Sequence, residues 1–144
     1  MEKNTLFNDL VTNLERNYKV NKLIYGGRKT PLFELMKGDK KIYFVIFEAG
    51  TKRDVKDSTL IWHRVNKEIL EKIDFNNTFF IIIDFNELKP RFILGKLNET
   101  NYNSHGNDCS FHFYRNDYGR FFNTNNFSEL LEKIKRLIIE EGKK

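Results

Sequence analysis

KIYFVIFEA, residues 41–49, is the stretch that decides the fold of this 144-residue chain. Apolar and aromatic residues occupy both alternating rows from Ile42 to Phe47, so a strand here buries both of its faces. NTFFIIIDF, residues 77–85, repeats the same double-faced pattern. Two such strands belong inside a sheet that is covered on both sides. A layered sheet is therefore predicted rather than a closed barrel, whose strands alternate more cleanly.

Helices are predicted on either side of this pair of strands. Residues 5–16 and 127–142 carry apolar residues at helical spacing, and Asn126 with Glu129 forms a capping pattern at the start of the second of these helices. A third helix is predicted over residues 59–73, because Ile61, Val65, Ile69 and Ile73 form one apolar stripe.

Further strands are predicted at 18–26, 31–38, 91–97 and 109–115, with polar loops at 98–108 and 116–126. Pro31 is expected at a strand start, where its missing N–H costs nothing. The order predicts an α+β fold with a mixed, mostly antiparallel sheet and helices on both faces. Its core reads helix-strand-strand-strand-helix-strand, and two strands and a C-terminal helix follow. Residues 1–144 are interpreted as a single domain, either whole or a fragment of a longer chain.

Composition narrows the classes of function. Hydrophobic residues make up 40% of the chain, which is typical of a folded protein. The longest apolar run, FFIII at 79–83, is too short to span a membrane, and one cysteine excludes an intramolecular disulfide. These features, with no apolar leader in the first ten residues, predict a soluble cytoplasmic protein. A formal net charge of +5 favours anionic partners.

Cationic residues gather at predicted loops and at the start of the predicted helix 59–73, where recognition residues are common. Lys and Arg in such places neutralise phosphates, and an aromatic side chain can stack on a base. The candidate nucleic-acid-binding residues are Arg28, Lys29, Lys52, Arg53, Lys56, Trp62, His63 and Arg64. DNA is accordingly the predicted partner, although solvated charges alone explain the same pattern.

Two of the predicted strands carry a carboxylate. Glu34 stands in PLFE and Glu48 in FEAGTK, fourteen residues apart across the predicted hairpin, and Lys52 follows. Two carboxylates can bind Mg²⁺, because this ion prefers oxygen ligands. A bound Mg²⁺ beside a cationic side chain can act on a phosphodiester. Alternatively, both acids simply end their strands in water.

The element order over residues 5–85 resembles the αβββαβ core of the PD-(D/E)xK nucleases, the restriction-endonuclease-like fold. The resemblance implies Glu34, Glu48 and Lys52 as catalytic residues, and Glu34 and Glu48 as ligands of Mg²⁺ in a metal-dependent deoxyribonuclease. In that family the lysine stands two residues after the second acid, whereas here Gly50 occupies that position. The chain more generally resembles DNA-recognition domains of prokaryotic restriction proteins.

Three functions remain open at this point. The first is a DNA-binding domain of a restriction or phage-defence protein, either nuclease-like or limited to recognition. The second is an active nuclease. The third is a protein-interaction module, such as a phage-encoded inhibitor or a complex subunit, which would show an exposed apolar patch near Trp62 or residues 117–122. A small-molecule enzyme with a pocket near His63 and a zinc site within HGNDCSFH (105–112) have weaker support.

Overall fold

The computed structural model describes residues 3–25, 28–49, 60–71, 75–85 and 89–142. Its helices are α1 (Lys3–Asn17), α2 (Lys67–Glu71) and α3 (Phe127–Gly142). Its strands are β1 (Lys19–Tyr25), β2 (Arg28–Lys37), β3 (Lys40–Ala49), β4 (Leu60–Asn66), β5 (Thr78–Asp84), β6 (Arg91–Lys96), β7 (Asn101–His105), β8 (Asp108–Tyr114) and β9 (Phe122–Thr124). No helix in these ranges is long and apolar enough to cross a membrane.

Six strands form one mixed sheet in the order β1-β2-β3-β5-β6-β9, and the order β4-β8-β7 forms a second sheet of three strands. β3 and β5 are parallel, while the other neighbours in both sheets are antiparallel. The fold is therefore α+β with a mostly antiparallel mixed sheet, as the sequence predicts. The chain begins with a helix and three antiparallel strands, and β5 is parallel to the third of these strands. This part of the order matches the αβββαβ core that the chain resembles.

The two faces of β5 build two separate cores. Phe79, Ile81 and Ile83 belong to a helix-side core, to which α1 and α3 also contribute buried leucines and isoleucines. Phe80 and Ile82 belong to a sheet-side core that also contains Cys109 and Phe111 of β8. Every residue of β5 is buried because it receives cover from both sides.

Both long helices consequently lie on the same face of the six-stranded sheet. The prediction of helices on both faces is wrong in this respect, since the three-stranded sheet covers the other face. The apolar pattern of β3 and β5 requires two covered faces, but it does not distinguish a covering helix from a covering sheet.

The helix predicted over 59–73 is also wrong over Leu60–Asn66. Residues Leu60–Asn66 form β4, which pairs with β8, and in the described part of this stretch the helix is limited to Lys67–Glu71. A spacing of four residues is a multiple of two, so the stripe of Ile61 and Val65 fits one face of a strand as well. The β-branched and aromatic residues of LIWHRV favour the strand, for which β8 supplies the hydrogen-bonding partner.

β2 begins three residues before Pro31, at Arg28, rather than at the proline. The register of β1 and β2 shifts between Lys22, which faces Phe33, and Ile24, which faces Lys29. Pro31 falls inside this irregular stretch. A bulge there removes the regular ladder bond that proline cannot donate, so the strand continues through the residue.

Both predicted polar loops contain regular structure. β7 occupies Asn101–His105 within the predicted loop 98–108, and a turn at Gly106, with φ of 56°, joins it to β8. In the predicted loop 116–126, a 3-10 helix over Arg115–Arg120 precedes β9. Polar residues in both segments conceal short edge strands that carry little apolar alternation.

Candidate nucleic-acid interface

The end of the six-stranded sheet at which β3 and β5 finish is called the carboxyl edge here. Ala49 lies opposite Asp84 in the parallel register, so Glu48 and Asp84 occupy adjacent levels at this edge. β2 starts at the same edge with Arg28 and Lys29, because β2 is antiparallel to β3. Crevices beyond the carboxyl ends of parallel strands are common ligand sites in α/β sheets.

The N-terminal ends of α1 and α3 also face this edge. α3 begins at Phe127, three residues after β9 ends at Thr124 beside Phe92. Leu6, from the second turn of α1, shares a pocket with Pro90 and Phe127. The N-terminus of a helix carries partial positive charge from its unpaired N–H groups, so both helices contribute positive potential at the carboxyl edge, which the carboxylate of Glu129 in the first turn of α3 partly offsets.

The start of α3 is fixed by local hydrogen bonds. The backbone N–H of Glu129 donates to Asn126 Oδ1 at 3.2 Å, which confirms the predicted cap. The Glu129 carboxylate accepts from Thr124 Oγ1 at 2.8 Å, and the Asn126 N–H donates to the same hydroxyl oxygen at 3.0 Å. Thr124 therefore links β9 to the helix, which gives the edge a defined shape.

A polar network lies on the sheet-side face of this edge. The Tyr118 hydroxyl donates to Asp84 Oδ2 at 2.8 Å, and Asp84 is only 2% exposed. Opposite Asp84 in the register, Arg91 donates to Asn123 Oδ1 at 2.8 Å and to Asn125 Oδ1 at 3.0 Å. The two amides hold the guanidinium in one direction.

The same two amides tie the chain segments of the edge together. Asn123 Nδ2 donates to the carbonyl oxygens of Tyr118 and Phe121, and Asn125 Nδ2 donates to those of Lys89 and Pro90. Each asparagine thus joins the segment before α3 to another part of the edge. Such a connected network gives the surface around Arg91 and Lys89 a fixed shape in which a ligand can be positioned.

The structure does not bring Glu34 next to Glu48. Glu34 lies opposite Tyr43, and Glu48 stands five residues further along β3. Since a strand rises about 3.3 Å per residue, the two positions are about 16 Å apart along the strand direction. Glu34 instead accepts a hydrogen bond from Asn21 Nδ2 at 3.2 Å. Two carboxylates that share one Mg²⁺ each place an oxygen about 2.1 Å from the ion, and the two backbone positions lie much farther apart than that.

The other predicted site residues divide into three groups. Arg28 and Lys29 lie at the carboxyl edge, and Lys52, Arg53 and Lys56 lie outside the described residues, in the segment that follows Ala49. Trp62, His63 and Arg64 belong to β4 of the three-stranded sheet and not to the six-stranded sheet. His63 occupies the register row of buried Phe111, whereas Trp62 and Arg64 occupy the alternate rows, opposite His112 and Ser110.

The aromatic residues of 117–122 do not form an exposed patch. Tyr118 and Phe121 pack against the sheet-side core, and Phe122 packs against the helix-side core. The Phe121 ring meets the Phe80 ring edge-on at a centroid distance of 5.1 Å. The cue for a protein-interaction module is therefore absent from these residues. Nor do the described residues contain a group of three or more potential metal ligands.

The sequence interpretation missed Asp84, Arg91 and the two asparagines. A signal for Asp84 was present, because FFIIID ends a fully apolar strand in an acid just as FVIFE does. No comparable signal marks Asn123 or Asn125, since their roles depend on the antiparallel pairing of β6 with β9.

Comparisons with known proteins add little to this geometry. No protein-family model matches the chain, and no curated protein matches it. Among solved structures, the fold is similar to that of Hjc, a Holliday junction resolvase from the archaeal hyperthermophile Archaeoglobus fulgidus. The TM-score is 0.44 and the identity 9%, over 80% of this chain and 93% of that chain. A similarity this low carries no argument about function, which rests on the chain's own residues.

Proposed function

We propose that this chain is a DNA-binding domain with a nuclease-like sheet, of the kind found in prokaryotic restriction or phage-defence proteins. One observation carries the proposal: the carboxyl edge combines Arg28 and Lys29 with the N-terminal ends of both long helices. The cationic segment 50–57 follows directly from β3 at this edge. A phosphate backbone would meet side-chain charges and helix N-termini together.

The proposal is tested by duplex binding at several salt concentrations. Substituting Lys52→Ala together with Arg53→Ala removes two charges, and each lost phosphate contact is expected to reduce the slope of log K against log [salt] by about 0.9. The expected result is weaker binding with a slope flatter by about one to two units. Unchanged affinity and slope in a folded double variant would remove this segment from the interface, and no binding by the unaltered chain would remove the function.

An active nuclease is the second candidate, since Glu48 lies one residue before the end of β3 and one level from Asp84, although the two positions belong to alternate rows that face opposite sides of the sheet. The separation from Glu34 argues against the metal pair that the resemblance implies, and Gly50 occupies the expected lysine position. We therefore expect DNA binding without cleavage. Plasmid DNA incubated with the protein in Mg²⁺ or Mn²⁺ tests this expectation. Metal-dependent cutting that disappears in Glu48→Ala would establish the nuclease instead.

A further inference from the structure

A pocket opens on the helix-side face of the carboxyl edge, between the starts of α1 and α3. Its volume is about 320 Å³. Buried Leu6 and Phe92 contribute to its apolar lining, together with half-buried Pro90 and Phe127. The rings of Phe92 and Phe127 lie 5.8 Å apart, tilted by 53°. The volume falls within the range of about 300–1,000 Å³ that is usual for small-ligand pockets.

The polar residues of the pocket favour a ligand with acceptor atoms and an attached negative charge. Among the described residues that line it, they are Lys89, Asn125, Asn126 and Ser128, and none of these described residues is a carboxylate. Asn125 is held by Arg91 and by the Lys89 and Pro90 carbonyls, so it is part of the wall. Lys89 and Ser128 are exposed and can donate hydrogen bonds to an incoming group.

We propose that this pocket receives one unpaired nucleobase of the bound DNA, an inference that rests on the DNA-binding function proposed above. A base is flat and apolar on its faces, which suits a lining of Phe92, Phe127, Pro90 and Leu6. The edge of the base carries acceptor atoms to which the Ser128 hydroxyl can donate. The phosphate of the same nucleotide carries the negative charge that Lys89 can neutralise. The pocket also lies at the edge where Arg28 and Lys29 begin β2.

The chemistry of the pocket implies a preference for DNA that is already unpaired at one position. A paired base lies inside the helical stack, and its extrusion costs a few kcal/mol. A base that faces an abasic site has no pairing partner to lose, so less of the stacking energy gained in the pocket is spent on extrusion. One base stacked on an aromatic side chain contributes about 1–3 kcal/mol.

The test compares two duplexes of the same sequence, one fully paired and one with a single base opposite an abasic site. The protein should bind the second duplex about tenfold more tightly, which corresponds to about 1.4 kcal/mol less free energy spent on extruding the base. Ser128→Trp places a bulky ring at the pocket mouth and should bind both duplexes equally. The matched control is Ile139→Trp, which adds the same ring without a charge change at an exposed position near the other end of α3.

The possible outcomes separate this inference from the proposed function. Equal binding of both duplexes by the unaltered protein would overturn the pocket assignment while leaving DNA binding intact. A preference that survives in a folded Ser128→Trp variant would overturn it as well. Failure to bind either duplex would remove the proposed function and the inference with it. Loss of the preference in Ser128→Trp, with retention in Ile139→Trp, would support the assignment.

Discussion

At the residue scale, Gly95 lies where two aromatic rings leave no space for a side chain. A Cβ at this position would lie 2.6 Å from Phe121 Cδ1 and 2.7 Å from Phe80 Cε2. Phe80 is fully buried, so the Phe121 ring would have to move off the sheet. The sheet-side core is therefore closed by a contact that only glycine allows.

Gly95→Ala is expected to lower the free energy of unfolding by about 1–3 kcal/mol, as overpacking of a core does. Urea unfolding followed by circular dichroism measures this loss. Gly119→Ala is the control, because a Cβ at Gly119 meets nothing within 4 Å. A loss in Gly95→Ala no larger than that in Gly119→Ala would show that Phe121 does not pack on Gly95.

Cys109 makes the stability of the fold depend on pH in the alkaline range. Burial raises the pKa of its thiol, an effect that the nearby charge of Lys67 partly reverses. The unfolded thiol therefore ionises first, and stability falls as the pH rises above the ordinary value of about 8.5. Burial also raises the pKa of Tyr18, so the contribution of this residue to the stability of the fold falls as well, at a higher pH than that of Cys109.

Unfolding midpoints in urea between pH 7 and pH 10 test the Cys109 contribution. The midpoint of the unaltered protein should fall over this interval, and Cys109→Ala should show a smaller fall from its own starting value. The comparison uses the slope with pH, since the substitution also removes a buried sulfur. Identical pH slopes in the two proteins would contradict the effect of burial on this thiol.

At the element scale, β5 is the strand on which both cores depend. It lies between β3 and β6, and its residues alternate between the helix-side and sheet-side cores. Ile82 is fully buried in the sheet-side core, as the sequence predicts. Ile46 is also confirmed as core, while the side chain of Ile69 lies outside the described residues.

Ile82→Ala is expected to cost about 2–5 kcal/mol, because the cavity it leaves cannot collapse between two covered faces. The same truncation at Ile139, which is 44% exposed, should cost well under 1 kcal/mol. Both variants replace isoleucine by alanine, so chemical denaturation compares the same truncation at a buried position and at an exposed one. A loss below about 1 kcal/mol for Ile82→Ala would mean that β5 is not central.

How much the sequence predicts differs between elements for a physical reason. β3 and β5 are recognisable because they are apolar on both faces, and α3 is recognisable because its apolar residues have helical spacing and a capping residue marks its start. β4 is not recognisable as a strand, because its stripe fits both periods and its partner β8 lies far along the chain. Edge strands β7 and β9 are short and polar, so local patterning hardly distinguishes them from loops.

The residues of the candidate site divide in the same way, into features that neighbouring residues reveal and features that depend on strand pairing. That Glu48 lies near the end of a buried strand is evident from its immediate neighbours, and β3 ends one residue later, at Ala49. Its neighbour at the edge depends on which strand pairs with β3 and in which register, and neither is a local property. Asp84 rather than Glu34 is therefore the acid nearest to Glu48 in the register.

At the scale of the whole molecule, cations occupy both ends of the six-stranded sheet. The end opposite the carboxyl edge carries exposed Lys19, Lys37 and Lys41 around the turn that joins β2 to β3. There, Lys37 lies 5.8 Å from the centre of the Tyr18 ring, and Asp39 stands within the turn. The formal net charge of +5 belongs to the whole chain, and both ends of the sheet carry cations. The net charge therefore does not decide which end binds DNA.

Helix direction favours the carboxyl edge in this competition. α1 and α3 both start at that edge, so their carboxyl-terminal ends, with partial negative charge, point toward the opposite end. A phosphate backbone at the carboxyl edge therefore gains from the helices and from Arg28 and Lys29, against the negative charges of Glu48 and Glu129 at the same edge. At the other end, the same helices oppose the attraction of the lysines.

The hairpin of β2 and β3 allows a charge-matched test of this difference. Arg28→Ala with Lys29→Ala and Lys37→Ala with Lys41→Ala each lower the formal net charge by two, from +5 to +3, at opposite ends of the same hairpin. The first pair should weaken duplex binding and flatten its salt slope by about one to two units, since each lost phosphate contact removes about 0.9. The second pair should leave the slope within about half a unit of its original value, because distant charges are screened beyond about 10 Å at 0.1 M salt. Equal effects from both pairs would mean that the protein binds DNA through its net charge alone. A larger effect from the second pair would place the interface at the opposite end of the sheet.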